Sequence, residues 1–490
     1  MKLPEEIEKI LHSLQEAGFE AFVVGGCVRD ILLKKQPKDW DIATSATPEE
    51  IQNVFPKSFY TNKFGTVTVL VPILKEIEIT TYRTEAGYSD QRHPDEVSFT
   101  KRLEEDLARR DFTINSLALL PLAKGEQEGV KNSVVIDGFT IIDPFGGLKD
   151  LNAGLIRAVG NPTERFKEDA LRMMRAVRFV AQLNFEIEAD TQEAIKQLAG
   201  DIQAVSHERI RDELVKIIMS DNPEKAVNIL EQTGLLKEIL PEVQEGVGVG
   251  QNKHHVFTVF EHCVKSLQFA ADYDYSFQIR LSALLHDIGK PRTKRPQGND
   301  YTFYGHEIVG ARMCEKLLKR LRFSAEDIHK ISHLVRHHMF YYDIGKVTEA
   351  GMRRMLRRVG PENFDDLIKL RIAERKGSGV PKARPYRLRH LQFLAEKVSQ
   401  QPLSVGQLAI KGTDLIDQLK IKPGPIIGGV LNALLAEVIE EPVKNTREYL
   451  LHRAGQLQKE DPEKLKNLGS EAMDKENKKR EDEIKDKYHV

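Results

Sequence analysis

Cysteine, tryptophan and long apolar runs are what this 490-residue chain has least of. Its three cysteines, Cys27, Cys263 and Cys314, lie far apart and form no C-x-x-C pair. That excludes a disulfide framework and a structural zinc knot, and it fits a reducing compartment. No run of eighteen apolar residues exists, and the N-terminus is acidic and amphipathic rather than basic then apolar. A membrane span and a leader peptide are therefore not expected, and a cytoplasmic protein is. An excess of one charge is missing too, with 73 Lys and Arg against 74 Asp and Glu. Near-neutrality gives no global sign of a polyanionic partner, yet residues 352–391 hold twelve Lys/Arg against four Asp/Glu, a local basic surface. At 40% hydrophobic and 30% charged residues, the chain reads as globular and largely helical, too long for one core.

What is present is organised. Strand-like runs at Ala21–Val24, Asp41–Thr44, Gly65–Val71, Glu76–Tyr82 and Val134–Asp137 alternate with helices up to about residue 155. From Arg165 the pattern is helical, with a flexible boundary expected at Gly246–Gln251. The expected fold class is α+β, a mixed-sheet head followed by helical domains. The expected division is 1–155, 156–248, 249–350, 351–456 and a charged tail, 457–490, that is either an exposed helix or disordered. Residues 123–133 read as a protruding hairpin or loop.

The most informative pair is Asp39 and Asp41, about ten positions after the turn Gly25-Gly26-Cys27-Val28-Arg29-Asp30. Placed on a strand, residues i and i+2 project both carboxylates from one face, with Trp40 turned away. Glycines before a helix let backbone N–H groups approach a phosphate chain, and two carboxylates beside them suit a divalent metal. Alone, an Asp-x-Asp is most often a solvated turn. Here further motifs follow. Glu76 and Glu78 share one face of a strand, and Glu78 is the preferred third carboxylate. Arg109-Arg110-Asp111-Phe-Thr-Ile-Asn115 opens an apolar helix, with Arg110 able to bridge phosphate or ribose and Asp111 able to accept from a sugar hydroxyl. In Glu168-Asp169-Ala-Leu-Arg172-Met-Met-Arg175-Ala-Val-Arg178, Asp169 and Arg172 are i, i+3 helical neighbours, either a plain ion pair or a base reader. A carboxylate accepts from an exocyclic amine and a guanidinium donates to an unprotonated ring nitrogen; cytosine and adenine offer both, uracil and guanine neither.

These motifs, with Asp143-Pro-Phe-Gly-Gly-Leu-Lys-Asp150, resemble the bacterial-type (class II) tRNA nucleotidyltransferases of the polymerase-β superfamily, over about the first 180 residues and in order. The resemblance implies Mg²⁺ on Asp39 and Asp41, triphosphate contacts from Gly26 and Arg29, ribose near Arg110 and Asp111, and base reading by Asp169 and Arg172. It adds triphosphate or primer contacts from Arg175 and Arg178. It implies CTP, ATP and tRNA as partners. A flexible loop at 83–97 favours full CCA addition or terminal A addition, and Asn62–Thr68 looks less like the poly(A) polymerases.

Histidine patches crowd residues 254–343: His254-His255, Glu261-His262, His286-Asp287-Ile-Gly-Lys290, His306-Glu307 and His337-His338, with Asp343 beyond. Spaced by helix lengths, they suit a metal held between helices. The His-Asp-Ile-Gly segment resembles the HD phosphohydrolases, which implies His262, His286, Asp287, His338 and His306 as ligands of a second divalent metal, with Asp343 last in order. The rival readings are an A-only enzyme or poly(A) polymerase, and an HD metal phosphohydrolase whose first half only binds nucleotide.

Overall fold

The computed structural model describes residues 3–62, 65–87, 96–121, 132–251, 256–298, 300–340, 342–379, 385–399 and 404–490. The flanks of the 83–97 loop fall within these spans; its centre, most of the 123–133 segment and His254-His255 lie outside the described residues.

The chain divides into two compact units, residues 1–338 with 366–381, and residues 339–365 with 382–490. The first begins with the helix Glu5–Glu16, whose Ile7, Ile10, Leu11 and Leu14 recur at helical spacing and are buried. Ten strands follow: β1 Ala21–Val24, β2 Asp41–Thr44, β3 Ser58–Asn62, β4 Thr66–Val71, β5 Lys75–Thr81, β6 Arg83–Ala86, β7 Glu96–Phe99, β8 Ala118–Pro121, β9 Ser133–Ile136 and β10 Phe139–Ile142. Eight of them form one sheet in the order β3-β4-β5-β2-β1-β8-β10-β9, and β6 pairs with β7 as a separate ribbon. Strand β2 lies parallel to β5 with Asp41 opposite Glu78, the register that matters for the site. All five expected strands are present with edges shifted by a residue or so.

Beyond the head, helices from Pro162 to Gln244 and from Val259 to His337 share one hydrophobic core running from Phe112 to Val335. Gly246–Gln251 is a packed turn rather than a flexible joint. Phe260 N–H donates to the Gly246 carbonyl (3.2 Å) and Val259 N–H to that of Val249 (2.9 Å). A Cβ on Gly246 would sit 3.2 Å from Val259.

In the second unit, Glu349–Val359 buries Met352, Met355, Leu356 and Val359 and exposes Arg353, Arg354, Arg357 and Arg358. The charged tail is a helix, Pro462–Tyr488, and its packing on Pro425–Glu440 depends on missing side chains. A Cβ on Gly429 would meet the Pro462 carbonyl at 2.8 Å, and one on Gly469 would meet Asn432. This explains how so polar a segment folds: one glycine on each helix gives close backbone contact where apolar side chains are scarce.

Candidate functional site

The turn after β1 sets the site. Gly25 has φ +80° and caps the helix Gly26–Leu32, and a side chain there would lie 2.8 Å from an Arg110 amino group and 3.5 Å from Asp41. Only glycine allows that approach. The turn opens into a cavity of about 1150 Å³. Its walls carry Gly26, Arg29, Asp39, Asp41, Arg110, Asp111, Asp169, Arg172, Arg175 and Arg178, every nucleotide-site residue expected from the sequence except Glu78.

Three local expectations need correction. Asp39 is not on the strand: β2 starts at Asp41, and Asp39 sits in the bend before it. The two carboxylates still face one cavity, and Asp39 raises the Asp41 pKa, already pushed up by burial and restrained by Arg110. The Arg109–Asp111 segment opens a short 3-10 turn, Thr113–Asn115, that leads into β8, not an apolar helix. Asp169 is not a helical partner of Arg172. It is extended (φ −147°, ψ 104°) just before the second of two helices, where its carbonyl accepts from Arg172 N–H (3.0 Å) while the two side chains bind other partners.

Glu78 lies outside the cavity lining but adjoins Asp41 across the parallel pairing. Burial, then Asp41 and Asp39, raise its pKa. Asp41 lies in the field of Asp39, opposed there by Arg110, and Glu78 in the field of both aspartates, a repulsion that a divalent cation bound through oxygen would relieve.

Each arginine of the cleft is tied to a carboxylate. Arg29 binds Asp30 (2.7 Å) and donates to Asn115 (2.8 Å), and Arg110 binds Asp106 (3.2 Å). Arg172 binds Glu168, Arg175 binds Asp111 (2.5 Å) and Arg178 binds Glu213 (2.9 Å). Phe179 supports three of them, with Arg178 4.5 Å, Arg29 5.0 Å and Arg175 6.0 Å from its ring centre. Asp111 is buried, and burial alone would raise its pKa. Arg175 and Asn115 overcome that and hold the carboxyl well below the usual range. It also accepts from Phe112 N–H (2.9 Å) and Asn115 (3.0 Å), so much of its capacity is spent on fixing its neighbours.

The sequence reading missed Arg209. From the helix His207–Ile218 it donates to both oxygens of Asp169 (3.3 and 2.7 Å), and Leu171 N–H donates to one of them (3.1 Å). A carboxylate has about four acceptor positions, so one remains for a ligand. Nothing in the local sequence marks Arg209, because its partner is forty residues away.

A second cluster lies in the same unit. His262 and His286 Nε2 are 3.0 Å apart, as are His306 and His338 Nε2 at 3.2 Å. Asp287 touches the first pair through one oxygen (3.5 and 3.2 Å) and the second through the other (3.3 and 3.7 Å). Both triads, His262-His286-Asp287 and Asp287-His306-His338, are fully buried. Backbone carbonyls of Ala283, Phe303 and Val335 take the Nδ1 atoms of His286, His306 and His338, which leaves the Nε2 lone pairs facing inward. Inward lone pairs around a buried carboxylate fit a divalent metal. Burial and His286 lower the His262 pKa to about 3, which keeps it a neutral donor.

Asp343 is not part of this cluster; it pairs with Arg387 (2.7 Å). The missed carboxylate is Glu374, partly buried and acting electrostatically on His286 and His338. Burial opposes its ionisation, but Arg371 and the two histidines bring its pKa down to about 2. Near it, Ser378 Oγ lies 3.3 Å from His262 Nδ1. Lys290, also missed as a participant, reaches Asp287 at 2.6 Å.

Comparison with known proteins gives the family. Residues 21–157 match the poly A polymerase head domain, 184–246 a probable RNA and SrmB-binding site of polymerase A, and 259–375 the HD domain. The CCA-adding enzyme of Ligilactobacillus salivarius is 34% identical over 470 residues, covering 94% of this chain and 98% of its own length. That of Pediococcus pentosaceus is 35% identical over 463 residues, covering 94% and 100%. Among solved structures, a Bacillus stearothermophilus CCA-adding enzyme in complex with CTP is similar over 94% of this chain and all of its own, at 29% identity and a TM-score of 0.57. With relatives of this kind matched from end to end, the chain belongs to the family of CCA-adding enzymes.

Proposed function

We propose that this protein adds C and A from CTP and ATP to the 3′ ends of tRNA without a nucleic-acid template. The observation that carries the reading is the single cavity on which the aspartates, the glycine turn and the base-reading candidates converge. Gly26 and Arg29 bind the triphosphate, Arg110 and Asp111 border the ribose, and Arg175 and Arg178 continue the phosphate contacts. Asp169, oriented by Arg209, accepts from the exocyclic amine of C or A, while Arg172 donates to the ring nitrogen. A uracil or guanine would set carbonyl against carboxylate and N–H against guanidinium.

Asp39, Asp41 and Glu78 hold Mg²⁺, which when bound acidifies the primer hydroxyl and offsets charge on the phosphates. The primer 3′ oxygen bonds to the α-phosphorus, the bond from that phosphorus to the β-phosphate oxygen breaks, and pyrophosphate leaves with the electron pair. The hydroxyl proton passes to water. The exposed arginines of Glu349–Val359 track the tRNA backbone by charge. We place the work in the cytoplasm; no helix among the described residues is long and apolar enough to cross a membrane. We assign residues 1–155 to nucleotidyl transfer, 156–248 to nucleotide selection, 249–350 to most of the HD domain and 351–456 to tRNA binding.

Purified protein given tRNA ending before CCA, with each nucleoside triphosphate separately and together, should incorporate CTP then ATP. Incorporation of ATP alone, and only onto a CC end, would reassign it as an A-adding enzyme. Asp41→Asn should lower addition by at least roughly 10³-fold. The two buried triads support a second activity, phosphoester hydrolysis at the HD metal. It should survive Asp41→Asn and vanish on His286→Ala.

A further inference from the structure

The helix Leu171–Leu183 presents its cleft residues in sequence along its axis, and the cavity lining extends beyond the residues that the reading above gives to the nucleotide, in the order that follows. Arg172 stands at the base end, Arg175 at the sugar through Asp111, and Arg178 at the phosphates, where it shares Phe179 with Arg29. Each step of three residues advances about 4.5 Å. The cavity continues another turn, to Gln182 on this helix, Lys35 and Gln36 after the Gly26–Leu32 helix, and Lys216, Ser220 and Asp221 on the facing wall. A pocket that holds one ligand of this size is about 300–1,000 Å³; this one is about 1150 Å³.

The charges there differ from those of the nucleotide site. Every cleft arginine named above is bound to a carboxylate, whereas Lys35 is exposed and has no ion pair among the described residues. Lys216 is half exposed, and the Glu213 oxygen it contacts at 3.1 Å is already shared with Arg178. Glu213 and Asp221 keep the region from trapping an anion. Among the described residues lining the cavity no exposed ring offers itself for base stacking, since Phe179 is buried beneath guanidinium groups. Weakly compensated, hydrated cations past the end of a triphosphate suit a compact, highly charged anion that must leave.

We propose that Lys35 and Lys216 form a release subsite for pyrophosphate, occupied after the bond to the α-phosphorus has broken and before the next nucleotide enters. The proposal rests on the nucleotide-addition reading above. Each addition leaves one pyrophosphate between Arg29, Arg178 and the glycine turn, and the two lysines draw it one helical turn outward.

The test uses the full chain with Mg²⁺ and inorganic pyrophosphate, following the reverse removal of A from CCA-ended tRNA. In Lys35→Gln/Lys216→Gln the KM for pyrophosphate should rise roughly tenfold, as expected for two exposed ion pairs. Pyrophosphate should inhibit forward addition correspondingly less. Lys35→Arg/Lys216→Arg should recover most of the affinity, which a folding defect would not allow. A KM for pyrophosphate within twofold of wild type would overturn the proposal. So would an equal rise in KM for CTP, which would place the lysines on the bound triphosphate, or a rise confined to tRNA, which would place them on the primer. If the wild type adds no nucleotide at all, the failure lies with the reading beneath it.

Discussion

Residues with several partners are the ones on which the proposed specificity rests. Asp169 has one acceptor position open because Arg209 and a backbone N–H take the rest. Asp169→Ala should therefore relax discrimination, with the CTP-to-UTP ratio of kcat/KM falling roughly 10- to 100-fold, the worth of one oriented polar contact. Measuring kcat/KM for each nucleotide separately checks it, since simple loss of fold lowers all four alike. Asp111 gives the pH case. Its native pKa lies below the unfolded value of about 4. The native state then binds fewer protons in that range, so the stability it adds is complete above about pH 4. That contribution is lost as pH falls from there through the native value. At pH 7, Asp111→Asn should cost roughly 3 kcal/mol by leaving Arg175 without its counter-charge. Urea midpoints of wild type and variant should draw together between pH 5 and 2.

At the scale of elements, the turn between β1 and the Gly26–Leu32 helix holds the head's chemistry in place. Gly25→Ala must both adopt φ +80° and push against Arg110. Arg110 would be displaced from Asp41, and addition should fall roughly 100-fold while far-UV circular dichroism stays unchanged. The turn at Gly289 has the matching role in the HD site. A Cβ there would meet the backbone of His306 and, at 2.6 Å, the Gly310 nitrogen. Gly289→Ala should thus separate His286-Asp287 from His306 and weaken metal binding, read by equilibrium dialysis, with Asp41-dependent addition retained. The strands themselves were readable in advance from alternating and β-branched runs. The pairing of β2 with β5 was not readable, because parallel neighbours are chosen by the sheet as a whole.

At the scale of the molecule, near-zero net charge hides opposed surfaces. Four exposed arginines on Glu349–Val359 sit on a helix that its buried methionines anchor. Replacing Arg354, Arg357 and Arg358 with Gln should reduce the salt dependence of tRNA affinity by about 0.7–0.9 per lost phosphate contact. Addition to a short acceptor-stem mimic should change less, so the comparison separates backbone tracking from chemistry. The shared core from Phe112 to Val335 predicts that the helices carrying Arg209 and those carrying the HD ligands melt together. Calorimetry should show one transition for them.

Chemistry was written locally in this chain. The aspartates, glycines, arginines and histidines could be named from the sequence because each must be a particular residue type, and short motifs keep such types at fixed spacing. The absence of long apolar runs and paired cysteines likewise followed from composition. Tertiary structure decided who touches whom: Arg209 on Asp169, Glu374 rather than Asp343 beside the histidines, Asp287 shared by two pairs. Those partners are tens of residues apart, and a charge on a helix face looks the same in sequence whether it meets water or a carboxylate. Burial, which turns such a charge into an orienting partner, exists only after the chain has packed.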